Sequence, residues 1–293
     1  MWVFLNDRFV RQEEAVVSVF DHGFLYGDGV YETIRSYGPR IFMRDQHLDR
    51  LQRSAEAIGL EVPIPRAHWP DLLHEAMRRN EVGNDSADAY LRITVSRGEG
   101  EIGLDPNLCP HPTVVIMAKA LGNYPAAFSR DGVSLTVAKT RRNLPEALSP
   151  QIKATNFLNN ILAKQESIAA GTFDSLLLNW REELTECTIS NLFFYAGDKL
   201  HTPALDCGIL DGITRTIVMT LAREEKIVVE EGHYRMAALR EAEECFLTNT
   251  TMEIMPVTTI DAAPVGNGIP GPLTRRLQTA FAASRTRFLE PVP

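Results

Sequence analysis

The chain has 293 residues, 44 % hydrophobic and 23 % charged, with 38 acidic against 30 basic side chains and a formal net charge of −8. That profile fits a soluble globular protein of roughly two domains, on a prior of about 150 residues each. The acidic balance leaves no surplus of Lys and Arg to neutralise phosphates, so nucleic acid is excluded as the main partner. The basic residues are 24 Arg and only 6 Lys, with no lysine before Lys119.

In chain order, residues 1–19 read as a hairpin turning at Asn6–Asp7, and turn-rich Asp21–Gly23 and Gly27–Gly29 lead into a strand over 30–37. Asp45 fits the N-cap of a helix with Leu48, Leu51, Ala55 and Ile58 on one face, stopped by Gly59. A helix over 67–79 and strands over 89–96 and 113–118 follow. Beyond the break at Gly122–Pro125, strands are expected over 133–138, 175–180, 191–195, 199–202 and 244–248. Helices are expected over 155–170, 214–226 and 272–287. The reading is a mixed α/β (α+β) chain: a smaller N-terminal α/β domain over 1–119, a linker over 120–130 and a larger C-terminal α/β domain over 131–293.

Cys109, Cys187, Cys207 and Cys245 form no CxxC pair and have no His partner at metal-ligand spacing. Neither a disulfide framework nor a metal site is expected, and a reduced cytoplasmic compartment is. Asp7 and Arg8 interrupt the N-terminal apolar stretch and no run of about 18 apolar residues occurs, so neither a secretory signal nor a membrane span is expected.

Gly98–Gly103 satisfies GxGxxG after a strand, but Leu104–Asn107 continues as a loop instead of opening a helix. The dinucleotide reading fails on that ground, and Glu99 and Glu101 would oppose phosphates. Period-two alternation puts Tyr31, Thr33, Arg35 and Tyr37 on one strand face, and Tyr90 with Arg92 on another; Arg97 falls on the opposite side. Aromatic-plus-Arg faces suit a carboxylate-bearing molecule, since guanidinium matches carboxylate bidentately; a solvated antiparallel face accounts for them equally well.

Lys153 lies ahead of a helix with Leu158, Ile161, Leu162 and Ile168 on one face. A lysine desolvated at such a joint has a lowered pKa, as imine chemistry requires. Gly208–Arg215 leads into a helix start, where free N–H groups and the dipole favour an anion. Glu186 stands in a loop before the apolar strand Leu192–Tyr195, where a carboxylate can hold a pyridinium nitrogen protonated.

Together these pieces resemble the class-IV, or fold-type IV, pyridoxal-phosphate aminotransferases. The resemblance spans about residues 2–287 and rests on ordered blocks: FDHGFLYGDGVYETIR, DQHLDRL, YLRITVSRGEGEIGLDP, QIKATNFLNNILAKQE, LTECTISNLFF, GILDGITR and FLTNTTMEIMPV. It implies pyridoxal 5'-phosphate as cofactor, an active site at the interface of two domains, and a homodimer or higher homo-oligomer. Lys153 then matches the lysine that forms the internal aldimine and moves the proton. Glu186 matches the carboxylate at the pyridine nitrogen, while Arg50, Ile213, Thr214, Asn249 and Thr250 match the rest of the cofactor-binding set. Tyr26, Tyr31, Arg35, Tyr90, Arg92, Arg97 and Thr251 are the substrate-binding candidates. Phe157 departs from the pattern, standing where many branched-chain members have a tyrosine that reaches the cofactor ring oxygen.

Arg35, the Tyr90/Arg92 pair and the turn Gly103–Pro106 resemble the branched-chain members, which implies a ping-pong transfer from branched-chain L-amino acids to 2-oxoglutarate. Arg97 resembles the arginine that holds the carboxylate in the D-amino-acid enzymes. Thr33 and the ECTISNLFF block resemble aminodeoxychorismate lyase, and an inactive pyridoxal-phosphate-binding protein is the remaining alternative.

Overall fold

The computed structural model describes residues 1–84, 87–290 and 292. It divides into two compact units. The first holds Met1–Gly122, Ile152–Asn156 and Arg287–Pro293; the second holds Asn123–Gln151 and Phe157–Thr286. A single boundary over 120–130 therefore misses two returns of the chain: the five residues around Lys153 and the last seven both belong to the first unit.

The first unit contains β1 (Trp2–Leu5), β2 (Arg8–Arg11), α1 (His22–Tyr26), β3 (Gly29–Tyr37) and β4 (Arg40–Ile41). After these come α2 (Arg44–Ala57), α3 (Trp69–Arg79), β5 (Ala89–Ser96) and β6 (Thr113–Ala120). The strands form one sheet in the order β2-β1-β6-β5-β3-β4, antiparallel throughout. Val30, Ile34, Leu91, Ile93 and Val95 join Leu48, Leu51 and Ala55 of α2 and Leu73, Ala76 and Met77 of α3 in one core. Each such Leu or Ile contributes about 1.5–3 kcal/mol by leaving water. Alternation turns Tyr31, Thr33 and Arg35 to the other face, where Thr33 pairs with Arg92 and Arg35 with Tyr90.

Two local details differ from the sequence reading. The segment read as turns holds α1, whose N-cap Asp21 accepts from Gly23 N at 2.7 Å and whose stop is Gly27 at φ +71°. Helix α2 starts one residue before Asp45, through Met43 in the left-handed region at φ 49°. The Met43 carbonyl takes the first helical bond from His47 N, and Asp45 sits in the first turn, where its charge complements the dipole.

The second unit contains α4 (Ala126–Asp131), β7 (Val133–Val137), α5 (Leu158–Ala170), β8 (Asp174–Leu178), β9 (Leu184–Cys187), β10 (Asn191–Ala196) and β11 (Lys199–Pro203). It continues with α6 (Ile213–Glu224), β12 (Val228–Gly232), α7 (Met236–Arg240), β13 (Glu244–Asn249), β14 (Glu253–Ile260), β15 (Ala263–Pro264) and α8 (Pro272–Ser284). The sheet runs β12-β11-β10-β13-β14-β7-β8-β9, and β9 pairs back onto β10 through Glu186 and Asn191. That last pairing closes β10, β13, β14, β7, β8 and β9 into a ring without a free edge. Leu135, Leu176, Leu184, Leu192, Leu247 and Val257 share its core. The apolar residues of α5 do share a face, but outward: Leu158 is 72 % and Ile168 68 % exposed, while small Ala163 and Ser167 are buried.

Candidate active site

In the first unit, Lys153 is held by its backbone. Its N–H donates to Ser54 Oγ of α2 at 3.1 Å, and its carbonyl accepts from Tyr31 N at 3.0 Å. The segment continues along β3 through an Ala154–Val30 bridge and a Thr155 N to Gly29 O bond of 2.9 Å. A Cβ at Gly29 would come within 2.8 Å of Val95 O on β5 and 3.3 Å of Thr155 Oγ1, so glycine lets β5 and this extra strand both lie close. Lys153 Nζ stands 4.5 Å from the centroid of the Tyr31 ring, and the Arg92 guanidinium stands 4.1 Å from the same centroid. Both are cation–π distances.

One turn before Ser54, Arg50 donates from Nε and Nη2 to the Glu32 carboxylate at 2.6 and 2.9 Å. His47 Nδ1 meets the same carboxylate at 2.7 Å, and all three side chains are buried. Burial alone would raise the Glu32 pKa; the charges and hydrogen bonds of Arg50 and His47 override it and hold the carboxyl far below its usual range. For His47, burial wins over the Glu32 charge and keeps the imidazole below its ordinary value. The neutral ring donates from Nδ1, which leaves Nε2 buried without a partner among the described residues.

The remaining candidates of this unit fall into distinct settings. Arg35 is ion-paired with Asp88 at 2.7 Å and lies over Tyr37, and the Tyr90 hydroxyl reaches Thr33 Oγ1 at 3.4 Å. Arg92, on the face with Tyr31 and Thr33, makes no ion pair among the described residues. Arg97 does not join that face: it pairs with Asp28 at 2.8 Å and donates to the carbonyls of Gly59 and Ile58 at 2.6 and 2.7 Å. It lies just past the end of β5, where alternation no longer sets its direction. The Tyr26 hydroxyl accepts from Gly103 N at 3.3 Å.

In the second unit, Glu186 lies in β9, not in a loop, and its buried carboxylate is fully oriented. Arg142 Nη2 donates to Oε1 at 2.7 Å, while Asn191 Nδ2 and Leu210 N donate to Oε2 at 2.9 and 3.1 Å. Asn191 also donates to Leu210 O, which fixes the turn before α6. The N-cap of α6 is Gly212, with no side-chain cap, so the N–H groups of Ile213 and Thr214 have no intrahelical acceptor. A Cβ at Gly212 would fall 1.9 Å from Asn191 Oδ1, so only glycine fits there.

Three hydroxyls lie on the segments that meet at Asn191. Ser190 precedes it, Thr248 is its register partner on β13, and Thr214 lies two residues beyond Gly212. Ser190 Oγ, Thr214 Oγ1 and Thr248 Oγ1 are all buried without a hydrogen-bond partner among the described residues. Asn249 Oδ1 organises the β13–β14 turn by accepting from Thr251 N, Thr251 Oγ1 and Met252 N, and Asn249 Nδ2 reaches Ile189 O at 3.3 Å. Thr250 sits in the same turn, half-buried.

The family model for amino-transferase class IV matches residues 29–260. The chain belongs to that family. This class IV aminotransferase is 38 % identical over 288 residues, 98 % of both chains, to a putative branched-chain-amino-acid aminotransferase of Methanocaldococcus jannaschii. It is 33 % identical to D-alanine aminotransferase of Listeria monocytogenes (98 % of this chain, 97 % of the relative) and 32 % identical to aminodeoxychorismate lyase of Bacillus subtilis (95 % and 93 %). Among solved structures, it superposes on the Escherichia coli branched-chain amino acid aminotransferase with a TM-score of 0.94 at 30 % identity, covering 100 % and 99 % of the two chains. A second solved branched-chain amino acid aminotransferase, the T.th. enzyme with pyridoxamine 5'-phosphate, gives 0.93 at 30 % identity, over 100 % and 98 %.

Class IV aminotransferases use pyridoxal phosphate, and the second unit fits its anionic end. An uncapped helix N-terminus and a buried Thr214 hydroxyl without a partner among the described residues are the donors a phosphate needs. Sequence reasoning missed Glu32, His47, Ser54, Arg142 and Asn191. His47 and Ser54 were legible as i−3 and i+4 neighbours of Arg50 on one helix face, whereas Arg142 and Asn191 reach Glu186 only through the sheet.

Proposed function

We propose that this enzyme transfers the amino group of a branched-chain L-amino acid to 2-oxoglutarate by a ping-pong mechanism dependent on pyridoxal phosphate. One observation carries the choice of substrate: on the Tyr31 face, Arg92 is the guanidinium without a carboxylate partner among the described residues, while Arg97 is tied to Asp28 and two carbonyls. The likeness to the branched-chain relatives supports the same reading. A D-amino-acid enzyme relying on Arg97 would first have to break that anchoring, and the lyase reading has no observation of its own beyond identity to the Bacillus subtilis relative.

When bound, the cofactor supplies an aldehyde for the amine and a ring that takes up the electron pair left by a departing proton. Arg92 holds the α-carboxylate of the donor, with Tyr31, Tyr90 and Arg35 shaping the rest of its seat. Lys153 Nζ takes the proton from Cα and, in the second half-reaction, returns one to Cα of the new amino acid. Its backbone bonds to Ser54 and Tyr31 keep the amine in place while it is free. Glu186, oriented by Arg142 and Asn191, holds a proton on the ring nitrogen.

The active form is a homodimer or larger homo-oligomer in the cytoplasm. Exposed Val16, Val19, Phe24, Ile102 and Leu104 in the first unit, and the α5 stripe in the second, are apolar surface that a second copy would cover. All four cysteines are free, which suits a reducing compartment, and among the described residues no helix is long and apolar enough to cross a membrane. The test is a half-reaction panel of L-Leu, L-Val, L-Glu, D-Ala and D-Glu, read from the cofactor absorption of the wild type and Lys153→Ala. Bleaching by L-Leu, L-Val and L-Glu, lost in the variant, is expected. A response to D-Ala and D-Glu alone would replace the assignment with the D-amino-acid one.

A further inference from the structure

Glu183, Cys207 and His233 come from three separate segments of the second unit: the residue before β9, the turn after β11 and the residue after β12. None belongs to the residues assigned above. His233 Nδ1 lies 3.2 Å from Glu183 Oε2 and 3.5 Å from Cys207 Sγ, and all three ligand atoms lie within 4.8 Å of one another. We propose that these three side chains form a site for a zinc-class divalent cation, with a fourth position open to water.

The spacing supports a metal. Zinc bonds of about 2.0–2.3 Å in a tetrahedron set ligand atoms about 3.3–3.8 Å apart; the His233–Cys207 distance of 3.5 Å lies in that range and the His233–Glu183 distance of 3.2 Å just below it. The surroundings match as well. His233 Nε2, the other ring nitrogen, faces Asp206 Oδ1 at 3.3 Å, the carboxylate–histidine arrangement that orients a metal-bound imidazole. Asn179 Nδ2 donates to Glu183 Oε2 at 2.8 Å and to the Cys207 carbonyl at 3.2 Å, bracing two ligands at once.

A nucleophilic triad is a poorer fit. His233 presents the same nitrogen to the Cys207 thiol and the Glu183 carboxylate, so those three cannot relay a proton, and a relay through Nε2 would have to end on Asp206, whose side chain is 74 % exposed. The donor set of thiolate, imidazole and carboxylate selects zinc or cobalt over magnesium or calcium. Sequence spacing conceals the site, because neighbouring ligands stand 24 and 26 positions apart. A bound cation would clip the start of β9, which carries Glu186, to the turn that leads to Thr214.

The cofactor-loaded protein, stripped with a chelator, is titrated with Co2+ and then Zn2+, with metal per chain measured alongside absorption. One Co2+ per chain, a thiolate-to-cobalt charge-transfer band and displacement by equimolar Zn2+ are expected. Cys207→Ser should abolish the band. His233→Ala, at an exposed position and able to fold normally, should weaken binding at least 100-fold while leaving the cofactor spectrum unchanged. Asp206→Asn should weaken it about 10-fold. No stoichiometric binding overturns the proposal, as does binding that survives His233→Ala or is lost instead in Cys109→Ser.

Discussion

Asn191 and Glu186 are register partners where β10 meets β9, and the Asn191 amide donates to the Glu186 carboxylate at 2.9 Å. The contact that closes the ring of strands is thus the one that aims the carboxylate. Arg142 completes the arrangement from the segment after β7, with side chains only 8 % and 6 % exposed in the pair. Removing one partner of such a pair strands a buried charge. Arg142→Met is expected to cost about 3–5 kcal/mol in urea unfolding and to slow turnover. Adding Glu186→Gln should recover much of the stability without recovering turnover. A double variant no more stable than Arg142→Met would show that the charge is not what the arginine compensates.

Arg92 and Arg97 should part company when each is changed to glutamine. Arg92→Gln removes a guanidinium that makes no ion pair among the described residues, so folding stability should hold. The KM for the amino donor should rise about 10- to 100-fold, the value of a charge-assisted carboxylate contact of about 1.5–3 kcal/mol. Arg97→Gln takes the partner from Asp28 and donors from Gly59 and Ile58 carbonyls, at a cost of about 2 kcal/mol or more in stability. Paired steady-state kinetics and denaturation curves check both, and an unstable Arg92→Gln would move that residue to a structural role.

How much of this was legible from residues alone follows from the range of each interaction. The Tyr31, Thr33, Arg35 face and its pairing with Tyr90 and Arg92 could be read, because antiparallel alternation is a local rule and both strands are regular. Lys153 could be singled out by its flanks, yet its return to the first unit could not: its partners Ser54 and Tyr31 are about a hundred residues away. The apolar stripe of α5 was legible as a stripe and misleading as core, since periodicity does not say which face meets its own chain. Glu186 reads as a loop residue because β9 has only four residues and pairs with β8 across a register irregularity.

The buried Glu32–His47 pair predicts acid sensitivity with a definite sign. The folded protein holds Glu32 ionised well below its ordinary 4.5, so the stability this adds is present above that pH and lost on further acidification. Burial likewise holds His47 below its ordinary 6.5, so the unfolded chain takes up a proton there first and stability falls as pH drops below about 6.5. Both contributions rise with pH. His47→Asn keeps an N–H for Glu32 without a titrating ring, so its urea midpoint should change less between pH 6.5 and 5 than the wild type's. Equal slopes for the two proteins would reject the neutral buried histidine.

Thr214 offers a test in which two readouts move in opposite directions. Its hydroxyl is buried without a partner among the described residues, at a helix start where the N–H groups of Ile213 and Thr214 are also open. A buried hydroxyl without a hydrogen bond destabilises the cofactor-free protein, by about 1–3 kcal/mol on mutational scales. Thr214→Val keeps the shape and removes that group, so the cofactor-free protein should be at least as stable as wild type. If the hydroxyl donates to the cofactor phosphate, the same change should weaken cofactor binding about 10-fold, close to the value of one hydrogen bond. Thr214→Ser should restore the affinity. Urea unfolding of the cofactor-free protein and a cofactor titration by absorbance measure the two effects, and a variant that loses stability while binding the cofactor normally would place Thr214 in the fold alone.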